Sequence, residues 1–507
     1  MFLAKLFGKI FNRVTLTALA VLAQLAWLLS LFLGLAEYQI WFSALFTVLS
    51  ALIALYIVRK DDNSAYKIGW IVIIGLVPLL GGLLYLFFGN KRPSKKMRRR
   101  IERTQAEHYA ALAARPGVTD GLPPRMAATS RYLTDHGPYP PWQHTAVRYF
   151  SSGEAMFPQM LADMERAERF IFVEYFIISK GSMWNEMFDV LKRKAAAGVD
   201  VRVIYDDVGS VWAMPKNFAV ELEKNHIHCL PFNPMVPVLA FVMNNRDHRK
   251  ILVIDGNVGY TGGVNIADEY VNRIERFGYW KDTGVRLEGD AVWNLTVTYL
   301  NLWNSFRKMD ESYAAFRPTI QGQTPTDGVV QPYTDSPLDE EPLAENVYLD
   351  ILAQAERYVY IFTPYLIIDN EMTNALCLAA KRGVEVCIVT PAIPDKKLVF
   401  RLTRSYYATL LRAGVRIYEY TPGFIHAKSF VCDDRIAVVG SVNMDYRSLY
   451  LHFESAVLLM ECSMIRELKQ DALDTIRVSR PVALADCRQG FLGTLLDDLL
   501  RLLSPLL

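Results

Sequence analysis

Two histidines in this 507-residue chain stand at the head of one repeated pattern. The first copy is His248-Arg249-Lys250, then four residues, Asp255, six residues, and Gly262-Gly263-Val264-Asn265. The second is His426-Ala427-Lys428, Asp433 and Gly440-Ser441-Val442-Asn443 at the same spacing. From average residue usage, a single chance occurrence of His-x-Lys-x4-Asp in a chain this long has a probability of roughly a few per cent. Two copies, each with the same glycine and asparagine downstream, are not chance. On a strand, residues i and i+2 share a face about 6.6 Å apart along it, so each copy presents an imidazole beside an ammonium. The glycine lets the chain turn close to a ligand. The asparagine amide beyond it can donate a hydrogen bond. Two copies facing each other surround one phosphate. One imidazole attacks in line and the other protonates the departing oxygen, while Lys250, Lys428, Asn265 and Asn443 hold the developing charge. Such chemistry asks for no metal and no cofactor.

The elements that must position these residues are α/β in grammar. Ala167-Glu168-Arg169 leads into the β-rich run Phe170 to Ile178, and Ala355-Glu356-Arg357 leads into Tyr358 to Ile368. A second strand follows each, Gly198 to Ile204 and Gly383 to Val389. A helix, a glycine and then an apolar strand, met twice in the same order, predicts a duplicated lobe. The lobes are expected over 146–318 and 326–507, with the boundary in the Pro-, Thr- and Gly-rich stretch Pro318 to Gly328 and a linker over 104–145.

The first ninety residues are of another kind. Val14 to Ala36, Trp41 to Val58 and Ile68 to Phe88 are apolar runs, each long enough to cross a hydrocarbon core of about 30 Å as a helix. Residues 1–103 therefore predict an α-helical membrane anchor. Basic residues precede the first run, separate the second from the third, and crowd Lys91 to Arg100 after it. The positive-inside rule puts all of them in the cytoplasm, which three full crossings cannot satisfy. Gly75, Pro78, Gly81 and Gly82 can break the third run into a shallow hairpin; the alternative is three crossings with one basic segment misplaced. The basic cluster also attracts anionic headgroups, at about 1 kcal/mol per residue near the surface. Over the whole chain, 55 Lys and Arg meet 53 Asp and Glu, so bulk charge gives no case for nucleic-acid binding. Six scattered cysteines without a C-x-x-C argue against a zinc ribbon or a disulfide scaffold.

The paired motif resembles that of the phospholipase D superfamily, and nearly the whole chain is similar to bacterial cardiolipin synthases. The supporting stretches are Leu83 to Gly89, Glu174-Tyr175-Phe176, Gly278 to Asp282, Asn443 to Ser448 and the C-terminal Leu503 to Leu507. The resemblance implies two phospholipase D-like lobes forming one site. It also implies transfer of a phosphatidyl group from one phosphatidylglycerol to a second through a phosphohistidine, with release of glycerol. By that analogy His248 is the nucleophile and His426 the general acid, then base. The motif carries Asp255 and Asp433 with the catalytic set, although they read as structural. Asp282 and Glu454 resemble the family carboxylates that orient the histidines, each serving its own or the opposite half. The implied partners are phosphatidylglycerol and membrane lipid, and the implied place is the bacterial inner membrane, multi-pass, with the lobes on the cytoplasmic face.

Hydrolytic phospholipases, transferases using another alcohol, superfamily nucleases and non-catalytic scaffolds are the competing classes. The anchor and neutral charge count against a nuclease, and two intact motifs count against a scaffold. Two further segments are apolar. Pro234 to Met243 precedes the first motif as a strand lead-in or an acyl-chain contact. The tail Gly490 to Leu503 has Leu492, Leu495, Leu496, Leu499, Leu502 and Leu503 at helical spacing, and this predicts an amphipathic helix packed by that face on the second lobe near Pro234 to Met243.

Overall fold

The computed structural model describes residues 36–89, 93–113, 115–234, 245–307, 312–338 and 341–506. They fall into two compact units, one holding the N-terminal helices and the C-terminal tail and the other holding 93–234 and 245–490.

The larger unit is built from the duplication. Its first half supplies β1 (Thr145–Phe150), β2 (Phe170–Tyr175), β3 (Asp200–Asp206), β4 (His228–Phe232), β5 (Lys250–Ile254), β6 (Val258–Gly262), β7 (Tyr279–Lys281) and β8 (Gly284–Gly289). Seven of these form a sheet in the order β1-β8-β6-β5-β2-β3-β4. The second half supplies β9 (Val329–Asp335), β10 (Tyr358–Phe362), β11 (Leu366–Ile367), β12 (Glu385–Pro391), β13 (Arg416–Tyr420), β14 (Gly423–Ile425), β15 (Ser429–Cys432), β16 (Ile436–Gly440), β17 (Met444–Asp445), β18 (Glu454–Met460) and β19 (Ser479–Pro481). Its sheet runs β19-β13-β12-β10-β15-β16-β18-β9. Read from the other end and without β19, this is the first order strand for strand. The central strands β2 and β10 are buried along their whole length, which is why their sequences are apolar runs rather than alternating ones. β2 lies parallel to β3 and antiparallel to β5, pairing Tyr175 with Lys250 and leaving His248 just beyond the sheet end. β10, β12 and β15 repeat that arrangement ahead of His426.

The predicted linker is structured. Residues 104–145 include helices Gln105–Ala111 and Pro124–His136. Asn346 Nδ2 donates to Tyr132 Oη at 2.7 Å, and Trp142 N–H donates to the Val330 carbonyl at 2.9 Å. Both bonds tie this segment to the second half.

In the smaller unit, α1 (Ala36–Arg59), α2 (Ser64–Leu76) and α3 (Pro78–Phe88) cover the second and third apolar runs. The first run, up to Ala36, lies outside the described residues, as does 235–243. The third run is not one helix. It breaks at Val77, and α3 folds back on α2 so tightly that a Cβ on Gly81 would meet the Ile73 carbonyl at 2.8 Å. In a continuous helix these two positions would be about 12 Å apart. Among the described residues no helix is long and apolar enough to cross a membrane.

The tail departs from expectation. It is helical over Phe491–Leu503, but it belongs with α2 rather than with the second lobe. The face set against protein carries Asp497 and Leu500, the former only 7% exposed. Phe491, Leu492, Leu495, Leu496 and Leu499 point outward, with Phe491 82% exposed.

Candidate active site

Two strand pairings between the halves build the site. Just before β5, Asp247 bridges in parallel to Phe453, and His248 N–H donates to the Phe453 carbonyl at 2.9 Å. In the other half β14 lies parallel to β7, and His426 N–H donates to the Lys281 carbonyl at 2.7 Å. Each motif histidine is thus threaded beside the strand of the opposite lobe. The next residue on each of those strands is a carboxylic acid, Glu454 in one case and Asp282 in the other.

The side chains follow the backbone. His248 Nδ1 lies 2.8 Å and 3.0 Å from the two oxygens of Glu454. His426 Nδ1 lies 2.7 Å from Asp282 Oδ2. The pairing is crossed, each histidine meeting the other half's acid. With both Nδ1 atoms engaged, Nε2 is the free nitrogen on each ring. Lys250 and Lys428 turn back to the carbonyls of His248 and His426, and Lys428 Nζ is 2.8 Å from His426 Nδ1. All six groups are buried.

The two halves differ one residue beyond the glycine. A Cβ at Gly263 would fall 1.9 Å from Asp282 Oδ1, so this position must be bare for the acid to reach His426. The second copy has Ser441 instead, whose hydroxyl donates to Glu454 Oε2.

Burial sets the protonation states, and the neighbours adjust them. His248 is held well below the ordinary imidazole value, first by burial and then by Lys250, His452, Lys428 and His426. His426 falls to about 4 by burial and Lys428, against the pull of Asp282. Burial pushes the Asp282 carboxyl up, but His426 and Lys428 outweigh it and leave it below the usual range. Glu454 goes the other way: burial raises it well above that range despite Lys250. The lysines drop by burial, Lys250 to about 8 and Lys428 to about 7. One histidine therefore faces an ionised acid, while the other faces an acid that favours its proton.

Asp255 and Asp433 do not join this centre. Each occupies a turn at the far end of the motif strand with φ of 54°. Seven extended residues place Asp255 about 23 Å from His248. Its carboxylate accepts the N–H groups of Glu168, Arg169 and Phe170, each at 2.8 Å. Asp433 accepts those of Glu356, Arg357 and Tyr358 at 2.7–2.9 Å. Their place with the catalytic set is corrected: they tie the motif strand to the start of β2 or β10. This also gives the repeated Ala-Glu-Arg a reason, since Arg169 and Arg357 donate to the carbonyls of Asp255 and Asp433.

The asparagines are at the site, with their amides partly engaged. Asn265 Oδ1 accepts Ile177 N–H at 3.0 Å, and its Nδ2 donates to Tyr270 Oη at 2.8 Å. Asn443 bonds Asp445, while its Oδ1 is buried with no partner among the described residues.

Phe176 and Trp280 lie in stretches that carry the resemblance, while Tyr270 carried no sequence signal. Tyr270 and Trp280 set their rings 5.3 Å and 5.4 Å from that of His426. Phe176 lies 5.0 Å and His452 5.8 Å from the ring of His248. Arg249, between His248 and Lys250, points into a buried ion cluster, with Nε 2.7 Å from Glu174 and 2.9 Å from Asp247. It braces the motif strand against β2.

Two like lobes with their His-x-Lys motifs meeting across the seam define a phospholipase D-like protein. The family model described as the phospholipase D-like domain of cardiolipin synthase matches residues 160–276 and again 348–473, and a phospholipase D-nuclease N-terminal model matches 48–90. A cardiolipin synthase of Geobacillus thermodenitrificans is 35% identical over 481 residues, 92% of this chain and 94% of that protein. One from Listeria innocua is 33% identical over 88% of this chain and 93% of its own. An uncharacterized protein of Streptococcus mutans is 42% identical over 89% of this chain. The crystal structure of a Haemophilus influenzae phosphatidylserine synthase shares the fold, with a TM-score of 0.56 at 13% identity over 76% of this chain and all of that one. The chain belongs to the cardiolipin synthase family of the phospholipase D-like enzymes.

Proposed function

We propose that this chain is a cardiolipin synthase that moves a phosphatidyl group from one phosphatidylglycerol to another through a phosphohistidine. The observation that carries the reading is the crossed pair of histidine and acid, joined by two lysines in one buried centre.

His248 Nε2 attacks phosphorus as the bond to the glycerol oxygen breaks, and that oxygen leaves with a proton from His426, whose imidazolium is favoured by the ionised Asp282 and by the charge of the bound phosphate. His426 then takes the proton of the second phosphatidylglycerol's hydroxyl. That oxygen attacks phosphorus, the N–P bond breaks, and cardiolipin forms. What favours these roles is the asymmetry of the acids. The group that must become an imidazolium is better served by the ionised Asp282, and His248 is held neutral and nucleophilic by burial and its cationic neighbours. Lys250 and Lys428 neutralise the phosphoryl oxygens. Water competes for the same intermediate, so the test is to give purified protein phosphatidylglycerol and measure cardiolipin, phosphatidic acid and glycerol. Phosphatidic acid as the dominant lipid product, with no cardiolipin, refutes the transferase and leaves a hydrolase.

The same reading puts the smaller unit at the bacterial inner membrane, as a multi-pass anchor with the lobes on the cytoplasmic face. Its support is the run of apolar segments from Val14, the basic cluster after the third, and the outward aliphatic residues. Leu45, Leu49 and Leu52 of α1, Ile68 and Leu76 of α2 and Leu86 of α3 are exposed in the same unit as the tail's leucines. Replacing Leu492, Leu495 and Leu496 by serine should weaken flotation of the full chain with phosphatidylglycerol vesicles. Undiminished flotation with loss of thermal stability assigns that face to protein contact.

A further inference from the structure

The side-chain amide of Asn265 has only one orientation. Its Oδ1 meets a backbone N–H, that of Ile177, which can only donate. The other end is therefore the NH2 group, and it donates to the hydroxyl oxygen of Tyr270 at 2.8 Å. Tyr270 Oη is an acceptor on that side, so its own proton must point elsewhere. Among the described residues nothing accepts it. Tyr270 is 3% exposed, and a buried donor without an acceptor is rare in a finished structure. The ring meets that of His426 edge to face, 5.3 Å between centroids and 87° between planes, and packs 4.6 Å from Trp280. The unmatched proton is thus at the wall of the catalytic centre. Burial and nearby acids hold the phenol well above its ordinary value, so the proton stays on.

We propose that Tyr270 donates a hydrogen bond to a non-bridging oxygen of the phosphoryl group held between His248 and His426, and that Asn265 is the positioning residue that aims it. The inference rests on the active-site reading above. In the other lobe the residue five past Asn443 is Ser448, a shorter hydroxyl that lies at Glu454. The donor stands on the His426 side, where the ionised Asp282 also lies. A neutral donor there answers phosphoryl charge without adding a second cation beside Lys428.

The probe is orthovanadate, which takes the five-coordinate geometry of in-line transfer, acting on purified full-length protein turning over phosphatidylglycerol. Loss of one hydrogen bond to a charged group should weaken inhibition of Tyr270→Phe by about ten- to a hundredfold. Asn265→Leu should weaken it in the same direction by letting the hydroxyl swing. If wild-type protein is inhibited and Tyr270→Phe is inhibited equally well, the inference is overturned while the site stands. If instead His248→Ala still makes cardiolipin, the active-site reading itself fails. Should Tyr270→Phe not fold, 3-fluorotyrosine at position 270 keeps the shape and lowers the phenol pKa. The more acidic phenol is the stronger donor, so vanadate inhibition should tighten at neutral pH, and unchanged inhibition overturns the proposal.

Discussion

Asp282→Asn tests the crossing of the two lobes. The change keeps the shape and replaces one oxygen by an NH2 group. In the native site both oxygens receive donors: Oδ2 lies 2.7 Å from His426 Nδ1, and Oδ1 accepts Thr283 N–H at 2.9 Å. An amide can satisfy only one of them. If it keeps Thr283, its NH2 faces Nδ1 and drives the imidazole proton to Nε2, the nitrogen that must exchange protons with the substrate. The imidazolium also loses its counter-charge. At about 4 Å and an effective dielectric of 20 that interaction is of order 4 kcal/mol, so turnover should fall by roughly a thousandfold. The informative result is which histidine the variant imitates. Asp282 shares its lobe with His248, yet Asp282→Asn should behave as His426→Ala does, and Glu454→Gln as His248→Ala does. A phosphatidyl ester of p-nitrophenol separates the classes, because a good leaving group does not need a general acid. Asp282→Asn should recover much of its rate on that ester and Glu454→Gln should not. If the variants sort instead by lobe, Asp282 with His248 and Glu454 with His426, the crossed site is wrong, whichever histidine is the nucleophile.

His248→Ala should lose every route to the covalent intermediate, and His426→Ala should keep the activated ester as a substrate; labelled phosphate trapped on His426 alone would reverse the assignment. The pH profile carries a sign that bulk lysines would not give. Lys428 and Lys250 lose protons through about 7 and 8 rather than at the ordinary 10.5, so kcat/KM should fall as pH rises through that window, and a flat profile to pH ~10 refutes their role. From there to the ordinary lysine value the unfolded chain binds more protons than the fold, so these two groups make stability rise with pH while activity falls, which thermal melts can read. Chelators should leave turnover largely intact, since the lysines carry the phosphoryl charge; complete loss, restored by one divalent ion, would show a further component of the site.

Much of this was legible because duplication doubles every signal. The His-x-Lys pairs, the Ala-Glu-Arg leads and the apolar β2 and β10 runs each occur twice, and the two sheets repeat strand for strand. What periodicity does not carry is contact between distant side chains. Asn265 is spaced to reach a phosphate, while Ile177 and Tyr270 take its oxygen and one of its two N–H groups. Tyr270 itself lies in a short stretch with no repeat in the other half. The one local clue was Gly263 opposite Ser441: a bare position in one copy and a hydroxyl in the other mark the two acids as differently held.

The tail shows where a sound rule stops. Six leucines at helical spacing do define one face, and in water that face belongs against protein. The rule assumes that the solvent is water. In the structure the helix instead turns Asp497 and Leu500 inward against its own unit and leaves Leu492, Leu495, Leu496 and Leu499 outside. Exposing four leucines is unfavourable in water. Lipid outside removes the cost of the exposed leucines, and Asp498, exposed on the same helix, keeps that surface at the water boundary rather than deep in hydrocarbon. The outward leucines thus favour a lipid surface from the opposite end of the chain to the apolar runs.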